Sequence, residues 1–321
     1  MKKPYISFIV AARNDDYGGN FLHRMQISVN SLLILCEKQS LNAELIVVEW
    51  NPPTKAPKLA EVLVWPKNIK FAEVHFIEVP NKIHRKLPNS EKMPMFEYVA
   101  KNVGIRRSKG EYVLSTNADI IFSAELVSFL ASKELSQECF YRIDRYDVEK
   151  LVPPDKSAEE QLEFCAKHWE RVYTLKGDIK RSYRFLDYQY LRSLTVWLGA
   201  KLLNHPIARI HTNASGDFFL MHRDYWHNLH GYPELPTHSH IDSYMCFMAA
   251  SSGLSQIILS DKKRIYHQGH IRPGGARPMT DVRLLLKHGK RMMDLKQPLI
   301  MNDEKWGLAE EDLPHTSIPL N

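Results

Sequence analysis

The stretch EYVLSTNADIIFS, residues 111–123, decides the fold of this chain. Its apolar first half is typical of a buried strand, and Asn117 and Asp119 stand where that strand ends. The segment before it, 95–110, predicts a helix and a turn, so the polar pair falls at a strand's carboxyl end, where α/β folds bind ligands. Oxygen atoms at such an edge suit a hard divalent cation and a ribose. The alternative is that both side chains only form a turn or cap a helix that begins near Ser123.

Three more strands extend this pattern toward the amino terminus. They are YISFIVAARND (5–15), ELIVVEW (44–50) and FAEVHFIEV (71–79). An amphipathic helix over 23–38 and the helix that precedes EYVLSTNAD lie between strands, so we predict parallel strands joined by right-handed crossovers. Residues 1–149 are therefore predicted to form a doubly wound, Rossmann-like α/β half of the type that binds nucleotides.

The character of the chain changes between residues 150 and 205, where aromatic and basic side chains are dense. Much of this stretch has a helical pattern, and we predict a helical insertion or lid over 150–205. A satellite helical hairpin with only a packing role is the alternative. Residues 206–321 are expected to return to the same domain and to end in a C-terminal tail.

Composition places the chain among ordinary globular proteins. Of its 321 residues 44% are hydrophobic and 25% charged, and 43 basic against 37 acidic residues give a net charge of +6. No long block of like charge occurs, so we expect a small phosphate-bearing ligand and no nucleic acid. Four scattered cysteines without C-x-x-C spacing favour a reducing compartment. No apolar stretch reaches the roughly 20 residues of a membrane span. We therefore expect a cytoplasmic protein.

Two common nucleotide-binding motifs are absent. No G-x-G-x-x-G follows the first strand, and no G-x-x-x-x-G-K-[ST] occurs in the chain. Their absence disfavours a hydride-transfer enzyme and a P-loop kinase, although the predicted α/β layer is common to both classes.

Five segments follow one another in an order that is specific. They are ISFIVAARNDD (6–16), LIVVEWNPP (45–53), TNAD (116–119), GDFFLMHRDYWHNLHGYPE (216–234) and HIDSYMCFMAA (240–250). In order and spacing they resemble the nucleotide-sugar glycosyltransferases of the GT-A fold, especially the family-2-like group. The resemblance implies a mixed sheet flanked by helices, a UDP- or GDP-linked sugar donor, a carbohydrate or other hydroxyl acceptor, and help from Mn²⁺ or Mg²⁺. Residues 206–321 would then form the acceptor-binding half.

The resemblance assigns nucleotide-binding residues to the ends of the first two strands. In that family the first strand ends at residues that line the nucleotide, which here are Ala12, Arg13 and Asn14. A planar guanidinium suits a pyrophosphate, while a surface ion pair is the alternative for Arg13. Glu49 matches the acidic position that contacts the base or ribose. Trp50 beside it either stacks on the base or packs under the sheet edge.

The family's D-x-D motif is altered here, because Asn117 stands in place of the first Asp. Asn keeps an oxygen for the ribose but loses a negative charge, so metal binding is expected to rest on Asp119. The resemblance brings a late histidine to the metal, and His267 and His270 are the candidates. Histidine beside a carboxylate suits Mn²⁺ better than Mg²⁺. The alternative is that both histidines merely end a strand.

A loop rich in Gly, Pro and Arg follows these histidines at 271–282. Loops of this composition can close over a diphosphate and exclude water during transfer. Arg272 and Arg277 would then neutralise the leaving nucleoside diphosphate. A plain surface loop is the alternative.

The acceptor side is assigned by the resemblance alone. Asp217 and Glu234 match positions that line the sugar and the acceptor, and Asp242 matches the carboxylate at a helix start that acts as the base of inverting enzymes. Asp242 could also cap that helix, and Trp226 is expected to pack in the core.

Inversion by direct displacement is the expected outcome, and three alternatives stay open. The segments VVEWNPP and VLVWPK also resemble retaining exostosin-type transferases. A sugar-phosphate nucleotidyltransferase uses a similar sheet, but AARNDDYGGN is a poor version of its basic glycine-rich loop. A non-catalytic nucleotide- or carbohydrate-binding protein on a transferase scaffold is the third alternative, which the Asn117 substitution favours.

Overall fold

The computed structural model describes residues 3–182, 188–271 and 278–320. Its architecture is a large mixed sheet flanked by helices, with a second, smaller sheet, which confirms the predicted α/β class. The strands, in chain order, are β1 Ile6–Ala12, β2 Ala43–Trp50, β3 Ala72–Val79, β4 Tyr112–Asn117, β5 Ile120–Phe122, β6 Cys139–Ile143, β7 Arg145–Val148, β8 Arg171–Thr174, β9 Gly177–Lys180, β10 Phe218–His222, β11 Ser255–Leu259, β12 Ile265–Gln268 and β13 His315–Ile318.

Ten α-helices are found in the described part of the chain, with a short 3-10 turn at Pro206–Ala208. None of them combines the length and the apolar character that crossing a membrane requires. They are α1 Phe21–Lys38, α2 Leu59–Val62, α3 Asn81–His84, α4 Glu97–Arg107, α5 Ala124–Ala131, α6 Ala158–His168, α7 Tyr188–Leu202, α8 Arg223–Asn228, α9 Ile241–Ser251 and α10 Val282–Leu295.

The large sheet has the strand order β11-β6-β10-β4-β1-β2-β3-β13. β1 pairs in parallel with β2 and β4, and β2 pairs in parallel with β3, as the alternation of strands and helices predicts. β10 is antiparallel to β4 and to β6, which makes the sheet mixed. The carboxyl ends of β1, β2 and β4 therefore lie side by side at one edge.

Both faces of this sheet are covered, and β1 and β2 are buried at every position. On β1, Phe8 and Val10 join a core with Met25 and Leu32 of α1, while Ile9 lies in the opposite core. Alternate residues of a strand point to opposite faces, so the continuous apolar run is what a strand between two helical layers requires. The opposite core is supplied largely by α4 and α9.

The smaller sheet, in the order β5-β12-β7-β8-β9, was not predicted. β12 lies between β5 and β7, and His267 is paired with Ile120 on one side and with Asp147 on the other. Strands of three to five residues carry too little periodicity to be recognised in a sequence. This sheet carries β12 to the carboxyl end of β4.

The stretch 150–205 is only partly helical. It contains α6 and α7, as expected, but also the antiparallel pair β8 and β9 between them. Ser157 begins α6 with a capping box, since its hydroxyl accepts from the Glu160 amide while its own amide donates to the Glu160 carboxylate at 2.9 Å. The hairpin of β8 and β9 mixes polar and aromatic residues over two strands of four residues, which is too short for its alternation to be distinguished from a helical pattern.

Four local predictions are settled by the helix starts and by burial. A helix does begin near Ser123, and the Ser123 hydroxyl accepts from the Leu126 amide, so Asp119 is not its cap. Asp242 does not cap α9 either, because the helix starts one residue earlier. Trp226 is fully buried, as predicted. Trp50 is also fully buried and donates to His84 Nδ1 at 3.0 Å, which leaves no face for a base.

Candidate functional site

Asp119, His267 and His270 converge at the carboxyl end of β4. Asp119 lies in the turn between β4 and β5, His267 is on β12, and His270 follows β12 by two residues. Asp119 Oδ2 is 3.7 Å from His267 Nε2 and 3.6 Å from His270 Nε2. The amide of Gln268 donates to the Asp119 carbonyl at 3.1 Å and holds the two segments together. One ligand atom from each of the three residues lies within 4.8 Å of the others.

This donor set fits a divalent transition metal. A carboxylate oxygen with two imidazole nitrogens favours Mn²⁺ over Mg²⁺, which prefers oxygen alone. Burial lowers the pKa of His270 and so favours the neutral ring that a metal ligand needs. Burial acts the same way on His267, but the carboxylates of Asp119 and Asp147 outweigh it and leave its pKa raised.

Arg24 and the glycine turn before α1 complete the wall around Asp119. The Arg24 guanidinium is buried, donates to the Tyr17 and Gly19 carbonyls, and has its Nε 3.6 Å from Asp119 Oδ2. Gly18 has φ +74°, and a Cβ there would lie 2.4 Å from His270 Nδ1. Only glycine fits this position, because both the backbone angle and the space exclude a side chain.

Asp147 and Arg145 adjoin this group, and the sequence did not indicate them. Asp147 Oδ1 is 3.3 Å from His267 Nδ1, and Arg145 forms an ion pair with Asp147 at 2.8 Å. Arg145 Nη1 also donates to Asp217 Oδ2 at 2.7 Å. Burial alone would raise the pKa of Asp217, but the Arg145 charge and smaller contributions lower it. The alternation of Arg145 and Asp147 on one short strand is the only sequence signal for this network.

Lys101 lies under the altered D-x-D motif. Its fully buried ammonium donates to Asn117 Oδ1 at 2.6 Å, to Glu97 Oε1 at 2.7 Å and to the Gly216 carbonyl at 2.8 Å. Asn117 Nδ2 donates to Asp217 Oδ1 at 2.7 Å. Both polar atoms of Asn117 are thus used inside the protein, and both carboxylate oxygens of Asp217 are bonded as well. The ligand contacts expected of these two residues stay predictions.

Asp242 is joined to this network through Gly216. Its Oδ2 accepts from the Gly216 amide at 2.7 Å, and its Oδ1 accepts from the Ser243 amide at 2.9 Å. A Cβ on Gly216 would lie 2.7 Å from the Tyr98 hydroxyl, so a larger residue would displace the turn. The half-buried carboxylate is fixed in the first turn of α9 and connects through the Gly216 carbonyl to Lys101.

A pocket opens at the end of β1. Arg13 lies on its wall, donates to the Asn51 carbonyl at 2.8 Å and forms an ion pair with Asp15. Tyr17 and Glu97 connect the pocket to the metal-ligand group and to Lys101. The Tyr17 ring contacts His270, and Glu97 binds Lys101. The lining residues are Ala11, Ala12, Arg13, Asp15, Tyr17, Phe21, Met93, Pro94, Met95, Glu97 and His238.

Three predicted site residues are not brought together with these groups. Asn14 is buried and donates to the Pro57 carbonyl at 2.8 Å. Both oxygens of Glu49 lie 3.1 Å from the amide nitrogen of Leu59, and burial raises the pKa of Glu49 to about 7. Glu234 is held by Asn102 on α4 and by the backbone of the C-terminal segment.

The contacts of Glu234 indicate a structural role. Its Oε1 accepts from Asn102 Nδ2 at 2.9 Å and from the Gly307 amide at 2.8 Å. Burial raises the pKa of Glu234, although these two donors act against that effect. The remaining predicted contacts, Arg272 and Arg277, lie outside the described residues.

No protein-family model and no curated protein sequence matches the chain. Among solved structures it is similar to residues 1–349 of TarS from S. aureus, with 17% identity, a TM-score of 0.45, and coverage of 82% of this chain and 60% of that one. It is also similar to the catalytic domain of Drosophila β1,4-galactosyltransferase 7 in complex with xylobiose, with 10% identity, a TM-score of 0.37, and coverage of 79% and 63%. The chain thus spans about three-fifths of each. Both TM-scores are below 0.5, so neither similarity assigns a function to this chain.

Proposed function

We propose that this protein is a GT-A type glycosyltransferase that moves a sugar from a UDP- or GDP-linked donor to a hydroxyl acceptor with inversion. The observation that carries the proposal is the convergence of Asp119, His267 and His270 beside the pocket at the end of β1. Tyr17 belongs to both, because it lines the pocket and its ring contacts His270. A metal site that adjoins a pocket at the carboxyl ends of parallel strands suits a nucleoside diphosphate.

Asp119, His267 and His270 would hold the cation, and a bound Mn²⁺ or Mg²⁺ would neutralise charge on the leaving diphosphate. Arg13 adds a cationic group from the pocket wall and lies where a pyrophosphate would need it. Ala12, a small residue, lines the pocket beside Arg13. The glycine at position 18 lets the backbone approach His270 closely.

Asp242 is the proposed base. In the reaction, the acceptor hydroxyl oxygen forms a bond to the anomeric carbon of the sugar while the bond from that carbon to the diphosphate breaks. The hydroxyl proton passes to Asp242, and the bonding pair leaves with the diphosphate. The two amide donors from Gly216 and Ser243 orient the carboxylate but do not use all of its lone pairs.

Lys101 and Arg145 support the site from beneath. Lys101 binds the Glu97 carboxylate, Asn117 and the Gly216 carbonyl, whereas Arg145 binds two carboxylates, so the end of β4, strand β7 and the turn at Gly216 keep fixed relative positions. A fully buried ammonium is stable only with such partners, which makes the arrangement rigid. Rigidity of this kind lowers the reorganisation needed when charge develops during transfer.

A nucleotide-binding protein without transferase activity is the second candidate. It is favoured by Asn117, which replaces a carboxylate of the D-x-D motif and whose oxygen accepts from Lys101. Turnover separates the two candidates, because a binding protein would neither transfer nor hydrolyse the donor sugar.

The test is thermal unfolding with a panel of nucleoside diphosphates and their sugars, with and without Mn²⁺, followed by assay of sugar release for each stabilising donor. Ligand that binds the native state raises the melting temperature. We expect one nucleoside diphosphate to stabilise the protein only with Mn²⁺, and its sugar conjugate to be consumed. Stabilisation without turnover under any acceptor condition would favour the binding protein, and no stabilisation by any nucleotide would contradict both.

A further inference from the structure

One surface of the molecule combines exposed leucines with unpaired cations. Helix α7 exposes Leu191, Leu198 and Leu202, which are spaced seven and then four residues apart and therefore form one stripe along the helix. The stripe faces outward, because Trp197 on another side of α7 donates its indole N–H to the Ala208 carbonyl at 2.9 Å. Leu202 and the following Leu203 are 88% and 80% exposed.

Helix α10 brings positive charge to the end of this stripe. It packs, like α7, on the turn at Pro206–Ala208, and His205 forms a groove with Leu286, Lys287, Lys290, Arg291, Asp294 and Leu295. Lys290 is paired with Asp294 at 2.6 Å, but within the described chain Lys287 and Arg291 have no ion-pair partner. We call the exposed side chains of Leu198, Leu202, Leu203, Lys287, Arg291 and Leu295 the α7–α10 surface.

We propose that the α7–α10 surface binds the headgroup region of an anionic lipid bilayer. Apolar side chains flanked by Lys and Arg are the pattern of elements that lie in the membrane interface, where the leucines enter the acyl boundary and the cations meet lipid phosphates. Lys287 and Arg291 favour an anionic bilayer over a purely apolar protein partner, because both cations would be left unpaired in a dry protein interface. The stripe is about 17 Å long, from the helical rise of 1.5 Å per residue, so it can lie along a bilayer but not cross it.

The position of the surface relative to the site gives the contact a consequence. Gly289 of α10 packs so tightly on Phe247 of α9 that a Cβ there would lie 2.7 Å from the ring. α9 also carries Asp242 in its first turn. Docking through α10 would hold Asp242 at a fixed orientation to the membrane, and the acceptor hydroxyl could then belong to an amphiphile in the bilayer. That last step rests on the proposed function, whereas the lipid contact does not.

Cosedimentation with vesicles tests the contact. We would compare vesicles of phosphatidylcholine alone with vesicles of phosphatidylcholine and phosphatidylglycerol, and follow self-association of the free protein by light scattering. We expect binding to the anionic vesicles that falls with salt. Leu202→Ser with Leu203→Ser should reduce the partition coefficient about tenfold or more, given the apolar area that leaves the interface. Lys287→Glu with Arg291→Glu should reduce it about tenfold.

The matched controls change exposed side chains elsewhere. Val64→Ser with Leu151→Ser removes two side chains that are 71% and 59% exposed, and should leave vesicle binding unchanged. Nucleotide-dependent thermal stabilisation of every variant reports the site separately, so loss of lipid binding with intact stabilisation supports the lipid contact alone. Equal binding by parent and both surface variants overturns the proposal. So does self-association through this face without vesicle binding, which would assign the face to a second copy.

Discussion

Asp119 and Glu49 occupy similar places at the ends of β4 and β2, on either side of β1, yet their surroundings differ. Asp119 faces the cationic or metal-ligating groups of Arg24, His267 and His270 at 3.6 to 3.7 Å. Glu49 is buried against the Leu59 amide, near the carboxylates of Glu78 and Glu61, and burial raises its pKa to about 7. A carboxylate at a strand end is thus a candidate ligand only where neighbouring groups favour its charge and leave it open to a cation.

The strongest test of this difference between Asp119 and Glu49 is to remove the charge at Asp119. Asp119→Asn should lower transfer by about 100- to 1,000-fold and abolish Mn²⁺-dependent stabilisation by nucleoside diphosphate, since the shared metal ligand is lost. Asn117→Asp should retain or strengthen Mn²⁺ binding. Thermal unfolding and sugar release measure both, with Glu49→Gln as the matched strand-end control. Intact turnover and stabilisation in Asp119→Asn would refute the metal site.

A second acidic residue extends the comparison to the acceptor side. Asp242→Asn should lower transfer about 100-fold or more, because the amide cannot accept the proton. Folding and Mn²⁺-dependent nucleotide binding should stay near normal, since an amide oxygen can still accept from Gly216. Rate assays at saturating donor test this. A variant that transfers at close to the parent rate would point to a retaining mechanism.

Variants of His267 and His270 test whether both histidines bind the cation together with Asp119. His267→Ala and His270→Ala should each weaken Mn²⁺ affinity about 10- to 100-fold, because each loses one ligand atom. Titration calorimetry gives the affinities, and His315→Ala, an exposed histidine at the far edge of the large sheet, is the control. Unchanged titrations for both variants would reduce these histidines to structural residues.

Replacing Asp147 should affect the same metal site less strongly. Asp147→Asn should weaken Mn²⁺ affinity about tenfold while transfer at saturating Mn²⁺ changes little, because a carboxylate beside His267 Nδ1 orients the ring and strengthens it as a ligand. A merely structural Asp147 would instead lower the melting temperature and leave the Mn²⁺ titration unchanged.

The smallest effect concerns Glu49 itself. Its pKa is raised from 4.5 to about 7, so its contribution to stability is full below pH 4.5 and is lost as pH rises through about 7. Glu49→Gln removes this dependence and should be more stable than the parent above pH 7, by about 1 kcal/mol after screening by solvent. Urea unfolding at several pH values measures the gap, which should close below pH 4.5. A gap that is constant with pH would show that Glu49 does not titrate in this range.

The sequence predicted the parts of the fold that repeat a strong pattern. The long apolar runs of β1, β2 and β4 predicted the parallel core. Asp119 could be proposed from its position after a strand, and the two histidines from the family resemblance. The network of Lys101, Arg145 and Asp147 could not, since its bonds to Asn117, Gly216 and Asp217 join segments that are distant in sequence, and Arg145 and Asp147 lie on a strand of four residues. Contacts of that kind depend on register, which no local pattern encodes.

The buried charges around the site have a consequence for the order of binding. Hydrogen bonds and ion pairs connect three cations and four carboxylates, which are Lys101, Arg145 and Arg24, and Glu97, Asp217, Asp147 and Asp119. Apart from the histidines, this array carries an excess of one negative charge and repels a diphosphate. Asp242, which is joined to the array through Gly216, adds one more negative charge, and a divalent ion would offset the excess. Under the proposed function, this array would act as an electrostatic gate, in which we expect the cation to bind first and the nucleotide to follow into a site whose excess charge has been offset.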